Sequence, residues 1–337
     1  MENSSQSTSS VWVPFRIAPS FSERPWGCLD LHPWYDKTAE GAPIGEAWLT
    51  GDHCVAMSGA HVGKTLQALF AEAPESLLGL SAPRGDESAQ SSASPLLIKV
   101  IFAKEKLSVQ VHPDDRMAQK YGDPRGKTEC WYALAAEPGA QVACGIKPGI
   151  TLDEVKKGIE TDTLESSLNL LDVVPGDMVF VDAGTVHAIW SGSILLETQQ
   201  NCDLTYRMYD YGRGRELHIE KSLEATRLAT RAGKVKAKEL LDRIILIDGD
   251  YFRVERIGVL GGRASDRLPG EDELVPGLQY LFVAEGAARI SGAGFESVEL
   301  PKGGIAAVPA ASPEFVVEDL GGLELMRITP RWPEAKR

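Results

Sequence analysis

The chain has 337 residues, of which 43% are hydrophobic and 25% charged; this composition is typical of a globular protein, and the length predicts two domains or one domain with a large annex. Its formal net charge of -13 argues against a nucleic-acid partner, because a phosphate backbone requires a basic surface. No apolar run approaches the roughly 18 residues of a membrane span.

The chain begins with a polar, Ser-rich stretch that lacks the apolar core of a signal peptide, and we expect residues 1–12 to form a disordered leader. The five cysteines are an odd number and include no CxxC pair. Such usage indicates a reducing compartment rather than a disulfide framework or a thiolate zinc site. Together, these features predict a cytoplasmic protein.

The segment 44–103 combines strand and helix patterns. A strand over 44–49 places Glu46 and Trp48 on one face, and apolar residues at helical spacing predict helices over 64–80 that Pro74 divides. Residues 83–94 are predicted to form a mobile surface loop. In the apolar strand 95–103, the lone Lys99 either is paired, faces a cavity or extends from a sheet edge, because an isolated buried ammonium is costly.

The segment 107–115 carries the strongest site signal. Side chains alternate along a strand, so Ser108, Gln110 and His112 share one face while Val109 and Val111 share the other. The polar face has the composition of a cavity wall that binds a metal ion or a sugar, since imidazole is a common metal ligand. The alternative is the polar outer face of an ordinary half-exposed strand.

Four further predicted strands carry ionisable side chains of the kind found at active sites. They are 127–134 with Lys127 and Glu129, 185–189 with His187, 194–198 with Glu197, and 203–211 with Arg207. Glu197 is either a functional carboxylate or only an ion-pair partner of Arg207.

Two stretches read as helical. Thr151 and Glu154 form a capping box that begins one helix, and a second is predicted over 163–171, so 151–172 is a small helical insertion. Residues 216–238 are polar and helical in character, and we interpret them as a linker.

The C-terminal part is predicted to be all β, with short strands between glycine and proline turns. Gly176 lies eleven residues before His187, and Gly303 lies eleven residues before Glu314, with a turn at the same spacing in each segment. This echo indicates two related β-barrels. No histidine follows His218, so we expect the second barrel to be metal-free.

Four of these side chains form a candidate ligand set: Gln110, His112, Glu129 and His187. Two nitrogen and two oxygen donors suit Zn²⁺ or a similar divalent ion, and we expect one ion per chain. Spacing alone does not prove that the four converge.

The segments KLSVQVHPDD, GKTECWYAL and GTVHAIWSGSILLETQQNCDLTYRMYDYGR resemble type I mannose-6-phosphate isomerases of the short bacterial branch, in the cupin superfamily. The resemblance is strong over residues 14–222 and looser beyond. It implies a mainly β fold of two cupin-like jelly-roll barrels with a small helical insertion. Its implied units are a catalytic domain at 13–238, with helical segments near 64–80 and 151–172, and a C-terminal domain at 239–337.

The resemblance also implies roles. It gives zinc ligation to the four-residue set above and a catalytic role to Arg207, with Glu197 as a carboxylate partner. It implies substrate contacts from Lys99, Lys127 and Ser108. Longer members have a histidine where this chain has Gly126, so a proton-transfer role for that histidine cannot hold here.

The implied reaction moves a proton between C1 and C2 of an open-chain sugar phosphate through an enediol, and it needs a base and an electrophile. Glu197 or Lys127 could handle the proton. A metal-dependent cupin oxygenase and a catalytically inactive sugar-phosphate sensor are the rival functions. A small-molecule substrate and a monomeric state are expected.

Overall fold

The computed structural model describes residues 12–79, 93–258, 263–265 and 277–332. Strand is the main regular secondary structure of these residues. The strands are β1 Phe15–Ile17, β2 Ser20–Cys28, β3 Ile44–Trp48, β4 Leu96–Ala103, β5 Val109–Val111, β6 Glu129–Ala136, β7 Gln141–Ile146, β8 Leu168–Asp172, β9 Met178–Val181, β10 His187–Ile189, β11 Ser193–Gln200, β12 Tyr206–Tyr209, β13 Gly233–Lys234, β14 Lys238–Glu239, β15 Arg243–Asp248, β16 Phe252–Ile257, β17 Arg263–Ser265, β18 Gln279–Glu285, β19 Ala287–Gly292, β20 Val298–Pro301, β21 Ile305–Val308, β22 Phe315–Asp319 and β23 Glu324–Pro330.

The helices are short and lie in the first two thirds of the chain. They are Leu66–Glu72, Pro74–Leu78, Asp115–Lys120, Leu152–Glu160 and Ile219–Ala225, with 3-10 turns at Gly59–His61 and Leu164–Ser167. The predicted break at Pro74 is confirmed, and so is the capping box at Thr151. No described helix has the length and apolar character needed to cross a membrane.

Four antiparallel sheets make up the fold. Sheet I has the order β13-β9-β6-β11-β4-β3-β2, sheet II β12-β5-β10-β7-β8, sheet III β1-β21-β18-β23-β16-β15-β14, and sheet IV β17-β22-β19-β20. One hydrophobic cluster lies between sheets I and II, a second between sheets I and III, and a third between sheets III and IV. Sheets I and II therefore form a first pair, sheets III and IV form a second pair, and the two pairs pack through sheets I and III.

Strand β4 shows why this layering produces an apolar sequence. Ile98, Val100 and Phe102 pack toward sheet III, while Ile101 and Ala103 pack toward sheet II. Both faces are covered, so the whole strand is buried. Lys99 alternates with these residues and points into the space between sheets I and II.

Three predicted elements differ from the structure. The helix predicted over 163–171 is wrong: only a 3-10 turn forms, and β8 then pairs with β7, with Leu171 opposite Val142. The strand predicted over 203–211 is limited to β12, and the polar stretch 216–238 is helical only over Ile219–Ala225. Long-range pairing, which local spacing does not encode, decides each of these segments.

The end of the predicted linker joins both sheet pairs. β13 pairs with β9 of sheet I, and β14 pairs with β15 of sheet III. At the other end of the chain, β1 pairs with β21 of sheet III. The boundaries 13–238 and 239–337 therefore stay a prediction. Residues 1–11 of the predicted leader and 83–92 of the predicted loop lie outside the described residues.

The internal echo corresponds to matching structural units. Gly176 has φ 92° and precedes β9, and Gly303 has φ 75° and precedes β21. A turn follows each strand, and the next strand begins at His187 in the first unit and directly after Glu314 in the second. The positive φ angles explain the glycines, because side chains disfavour that conformation.

Candidate metal centre and active site

Three strands bring His112, Glu129 and His187 to one buried point between sheets I and II. His112 follows β5, Glu129 begins β6 and His187 begins β10, where it lies opposite Gln110 in the antiparallel register. Glu129 Oε2 is 3.4 Å from His112 Nε2, and Glu129 Oε1 is 3.3 Å from His187 Nε2. In the part of the chain that the structure describes, this is the one His/Cys/Asp/Glu group compact enough to hold a metal ion.

Each imidazole is oriented by a backbone carbonyl. His112 Nδ1 donates to Leu204 O at 2.9 Å, and His187 Nδ1 donates to Thr185 O at 2.8 Å. With Nδ1 protonated in each neutral ring, the Nε2 lone pair faces the centre. Burial lowers the pKa of His112 to about 3 and also lowers the pKa of His187, so both rings are neutral ligands.

The centre has more acceptors than donors, and its nearest cation is the Lys127 ammonium, whose Nζ lies 3.2 Å from Glu129 Oε2. Both carboxylate oxygens of Glu129 and the Nε2 of His112 are buried without a hydrogen-bond partner. Burial raises the pKa of Glu129, but the Lys127 ammonium, His112 and His187 together outweigh it and hold that pKa well below its usual range. An ionised carboxylate facing two imidazole lone pairs fits a bound cation, because otherwise the desolvation of these groups is uncompensated.

Gln110 extends the set to four. Its Nε2 lies 3.2 Å from His187 Nε2. The amide oxygen and nitrogen exchange positions by rotation about the last side-chain bond, and which orientation holds depends on the hydrogen-bonding surroundings. With the oxygen turned to the centre, two imidazoles, a carboxylate and a carboxamide form a donor set suited to Zn²⁺.

A cavity of about 560 Å³ lies beside this centre. Six predicted site residues line it: Lys99, Ser108, Gln110, Lys127, Glu197 and Arg207. The structure thus brings all nine predicted site residues to one place. The cavity wall contains five Lys or Arg and four Asp or Glu side chains, an excess of positive charge in a chain whose net charge is -13.

Lys99 and Glu197 form a buried ion pair in the cavity wall. Lys99 is 2% exposed and its Nζ lies 3.1 Å from Glu197 Oε2. Two more carboxylates, Glu46 and Asp203, lie 3.9 Å from the same Nζ. The alternatives of an Arg207 partner for Glu197 and of an edge position for Lys99 are therefore wrong.

The same contacts set the protonation of this pair. Burial raises the pKa of Glu197, and the neighbouring Glu129 and Glu46 carboxylates also raise it, while Lys99 and Lys127 oppose them. Trp131 Nε1 donates to Glu197 Oε1 at 3.0 Å. Burial lowers the pKa of Lys99, but Glu197, Glu46 and Asp203 outweigh it, so Lys99 remains an ammonium.

Two arginines in the cavity wall were missed by the sequence analysis. Arg24 donates to Glu46 Oε2 at 2.9 Å, and Arg215 Nε donates to Asp210 Oδ2 at 2.8 Å. Arg24 lies in β2, where the sequence indicates only turns around Pro25, and Arg215 lies outside any periodic segment. Residue spacing gave no signal for either arginine, because only the assembled fold brings them to the cavity.

Arg207 is held by the segment that leads into the helix Ile219–Ala225. Its Nη1 donates to Glu216 O at 3.0 Å, and its backbone N–H donates to His218 Nδ1 at 3.3 Å. Its Nε is buried without a hydrogen-bond partner. His218 also lies in the cavity wall.

Gly126 has no room for a side chain. A Cβ at this position would lie 2.5 Å from the Pro113 carbonyl oxygen and 2.5 Å from the Asp114 carbonyl carbon. The backbone here takes the volume that the first atom of a histidine side chain would need. Proton transfer in this chain therefore depends on other groups.

Comparison with known proteins places this geometry in a family. Residues 15–145 match the sequence model described as the catalytic domain of type I phosphomannose isomerase. The probable mannose-6-phosphate isomerase GmuF of Bacillus subtilis is 34% identical over 324 residues, covering 90% of this chain and 96% of that protein. The mannose-6-phosphate isomerase ManA of the same organism is 35% identical over 293 residues, covering 80% and 89%.

Solved structures show the same fold. The crystal structure of mannose 6-phosphate isomerase from Bacillus subtilis superposes with a TM-score of 0.80 at 28% identity, covering 94% of this chain and 99% of that one. A putative mannosephosphate isomerase from Archaeoglobus fulgidus has a TM-score of 0.73 at 22% identity, covering 96% and 99%.

Proposed function

Since the chain belongs to the type I phosphomannose isomerase family, we propose that the cavity between sheets I and II is where it interconverts mannose 6-phosphate and fructose 6-phosphate. The observation that carries the proposal is the buried, donor-poor cluster of Glu129, His112 and His187 beside a cavity lined with lysine and arginine. The cluster favours a bound cation, and the lysines and arginines of the cavity favour an anionic substrate. A sugar-phosphate isomerase that depends on a metal ion needs both.

Gln110, His112, Glu129 and His187 would hold one divalent ion, and Zn²⁺ suits their donor types. When bound, the ion polarises the sugar carbonyl and its neighbouring hydroxyl as a Lewis acid. The carbonyls of Leu204 and Thr185 fix the two imidazole tautomers for this purpose.

Glu197 is the proposed base. It is buried in the cavity wall with Oε2 3.1 Å from the Lys99 ammonium, and its raised pKa improves it as a proton acceptor. It would take the C2 proton of the open-chain aldose and return it to C1, while the hydroxyl proton on O2 moves to O1. Lys99 keeps the carboxylate ionised, and the Trp131 indole orients it.

Lys127 and Arg207 would stabilise charge rather than remove a proton. Lys127 Nζ lies 3.2 Å from Glu129 Oε2, a contact that keeps it an ammonium. A fixed cation beside the enediol oxygens lowers the energy of the developing oxyanion. Lys99, Ser108, Lys127 and Arg207 are the proposed substrate contacts, and because three carboxylates surround Lys99, the phosphate is expected mainly on Arg207 and Ser108.

The test is a coupled assay for fructose 6-phosphate, run with and without a chelator and paired with metal analysis of the purified protein. We expect isomerase activity that a chelator abolishes and added Zn²⁺ restores, with one ion per chain. Activity that a chelator leaves unchanged would contradict the metal role. Sugar-phosphate binding without turnover would support the sensor instead.

Three further properties belong to the proposal. We propose a monomer in the cytoplasm with a small sugar phosphate as its partner and without a nucleic-acid partner, on the basis of the acidic charge and the five unbridged cysteines. Light scattering of the purified protein measures the oligomeric state, and a salt-dependent gel shift measures nucleic-acid binding.

A further inference from the structure

A hydrogen bond links sheet III to the helix that follows the metal-ligand strand. The Tyr251 hydroxyl, between β15 and β16, donates to Asp115 Oδ2 at 2.8 Å. Tyr251 packs on the hydrophobic cluster between sheets I and III. Burial raises its pKa, and so does the adjacent Asp115 carboxylate, so it remains a neutral donor. Asp115 begins the helix Asp115–Lys120, three residues after His112.

The other oxygen of Asp115 holds the chain ahead of β6. Asp115 Oδ1 accepts from the Gly126 N–H at 2.7 Å and from Gln200 Nε2 at 2.9 Å. Gln200 Oε1 in turn accepts from the Thr128 N–H at 2.9 Å. The backbone on each side of Lys127 is therefore tied, directly or through one amide, to a single carboxylate.

These ties matter because little strand pairing holds this backbone: the Gln200 N–H at the end of β11 donates to Thr128 O at 3.2 Å. β6 begins at Glu129, and the pairing with β9 and β11 starts there. Before it, the Lys127 backbone N–H donates to Pro113 O at 3.0 Å. Hydrogen bonds to an ionised carboxylate are strong and directional, so Asp115 is suited to fix the segment 126–128.

Resting on the function proposed above, we propose that Tyr251 is a positioning residue for the active site: by orienting Asp115, it fixes the backbone that presents Lys127 to the cavity and Glu129 to the metal centre. The second sheet pair thus contributes to catalysis, although none of its described residues lines the cavity. Polar partners one step away from metal ligands commonly alter ion affinity or activity when removed.

A purely structural role is the competing explanation, and the chain offers a matched control. The Tyr280 hydroxyl of β18 forms a buried hydrogen bond of 2.9 Å with Ser94 Oγ, which also joins the two sheet pairs. Tyr280→Phe and Tyr251→Phe each remove one tyrosine hydroxyl that bonds across the two sheet pairs. They differ in the partner: Asp115 is hydrogen-bonded to the segment 126–128, directly and through Gln200, whereas Ser94 is the partner of Tyr280.

The experiment measures three quantities on the full-length variants. We expect Tyr251→Phe to lower kcat about tenfold with KM within about twofold, and to weaken Zn²⁺ binding to the metal-free protein about tenfold. Amide exchange at Gly126 and Thr128 should also become faster. Tyr280→Phe should change none of the three, although it lowers the melting temperature to a similar degree. Asp115→Asn should reproduce the Tyr251→Phe changes, and the double variant should be no worse than Asp115→Asn alone.

A Tyr251→Phe variant that matches Tyr280→Phe in kcat, Zn²⁺ affinity and amide exchange overturns the inference. If Tyr251→Phe does not fold, Asp115→Asn is judged by the same three readouts. A wild-type protein without isomerase activity contradicts the proposed function alone, because Zn²⁺ affinity and amide exchange still report the positioning.

Discussion

The two sheet pairs have similar frames and opposite interiors. Each contains a strand-turn-strand unit that begins at a positive-φ glycine, Gly176 or Gly303. Between sheets I and II, the buried Glu129 faces imidazole lone pairs. In the second pair, the buried Glu255 receives hydrogen bonds from Arg327 Nε at 2.7 Å and has Arg327 Nη2 at 2.6 Å.

Two more guanidinium groups complete the contrast. Arg243 Nε lies 3.4 Å from Glu255 Oε1, and Arg253 Nε lies 3.3 Å from it. A carboxylate neutralised by arginines of its own chain forms a self-sufficient buried ion pair. Glu129 has one ammonium, Lys127, beside it and two imidazole lone pairs that face it, so an external cation has a place between these acceptors. The same framework therefore supports either a structural centre or a functional one, depending on which partners its strands supply.

The largest expected effect comes from substituting the residues at equivalent positions of the two strand-turn-strand units, His187 and Glu314. His187→Ala should abolish stoichiometric Zn²⁺ binding and lower kcat about 1000-fold, since a ligand of the Lewis acid is lost. Glu314→Ala, at the equivalent position of the second unit, should keep both properties. Metal analysis and the coupled assay measure the pair, and equal losses in the two variants would remove the distinction between the sheet pairs.

The second interior is tested by removing its charge. Glu255→Gln should destabilise the protein by about 3 kcal/mol, because it leaves buried guanidinium groups without their carboxylate. Denaturant unfolding measures the change. The folded variant should still bind one Zn²⁺, so a loss of metal at unchanged stability would show that Glu255 serves the first interior.

The next prediction concerns Glu197 and Lys127 in the cavity wall. Glu197→Gln should lower kcat about 100-fold with little change in KM, because it removes the proposed base. Lys127→Met should lower kcat by more than about tenfold through lost charge stabilisation. Steady-state kinetics decides between them, and a drop of less than tenfold in both variants would assign the base to another group.

The smallest effect concerns a histidine outside both interiors. His61 is 1% exposed and stacks on Trp12 with ring centroids 4.1 Å apart, and burial lowers its pKa. Unfolding therefore takes up a proton below about pH 6.5, so stability falls as the pH drops through that range. His61→Phe should reduce this loss by less than about 1 kcal/mol. Unfolding curves at pH 5 and pH 8, compared with wild type at the same Zn²⁺ concentration, measure it.

The sequence predicted the site better than the elements around it. Gln110 and His112 are two residues apart on one strand, and Lys127 and Glu129 repeat that spacing, so the alternation of side chains already placed each pair on one face. That β5, β6 and β10 meet at one point depends on sheet order, which came from the resemblance rather than from spacing.

The missed features share a physical cause. β8 forms where a helix was predicted because Leu171 pairs with Val142, and Arg24 reaches the cavity because β2 lies beside β3. The Tyr251–Asp115 contact joins residues 136 positions apart. Pairing over such separations depends on the assembled fold, and local propensity does not report it.

The outer face of sheet I has a practical consequence for protein engineering. Its apolar side chains, such as Ile98 and Val100, are covered by sheet III, and sheet III in turn incorporates β1 from the start of the chain. A fragment without the second sheet pair would expose the apolar face of sheet I to water and would leave β1 without its pairing strand. Truncation alone will therefore not give a smaller stable enzyme; the exposed face of sheet I must also be redesigned with polar side chains.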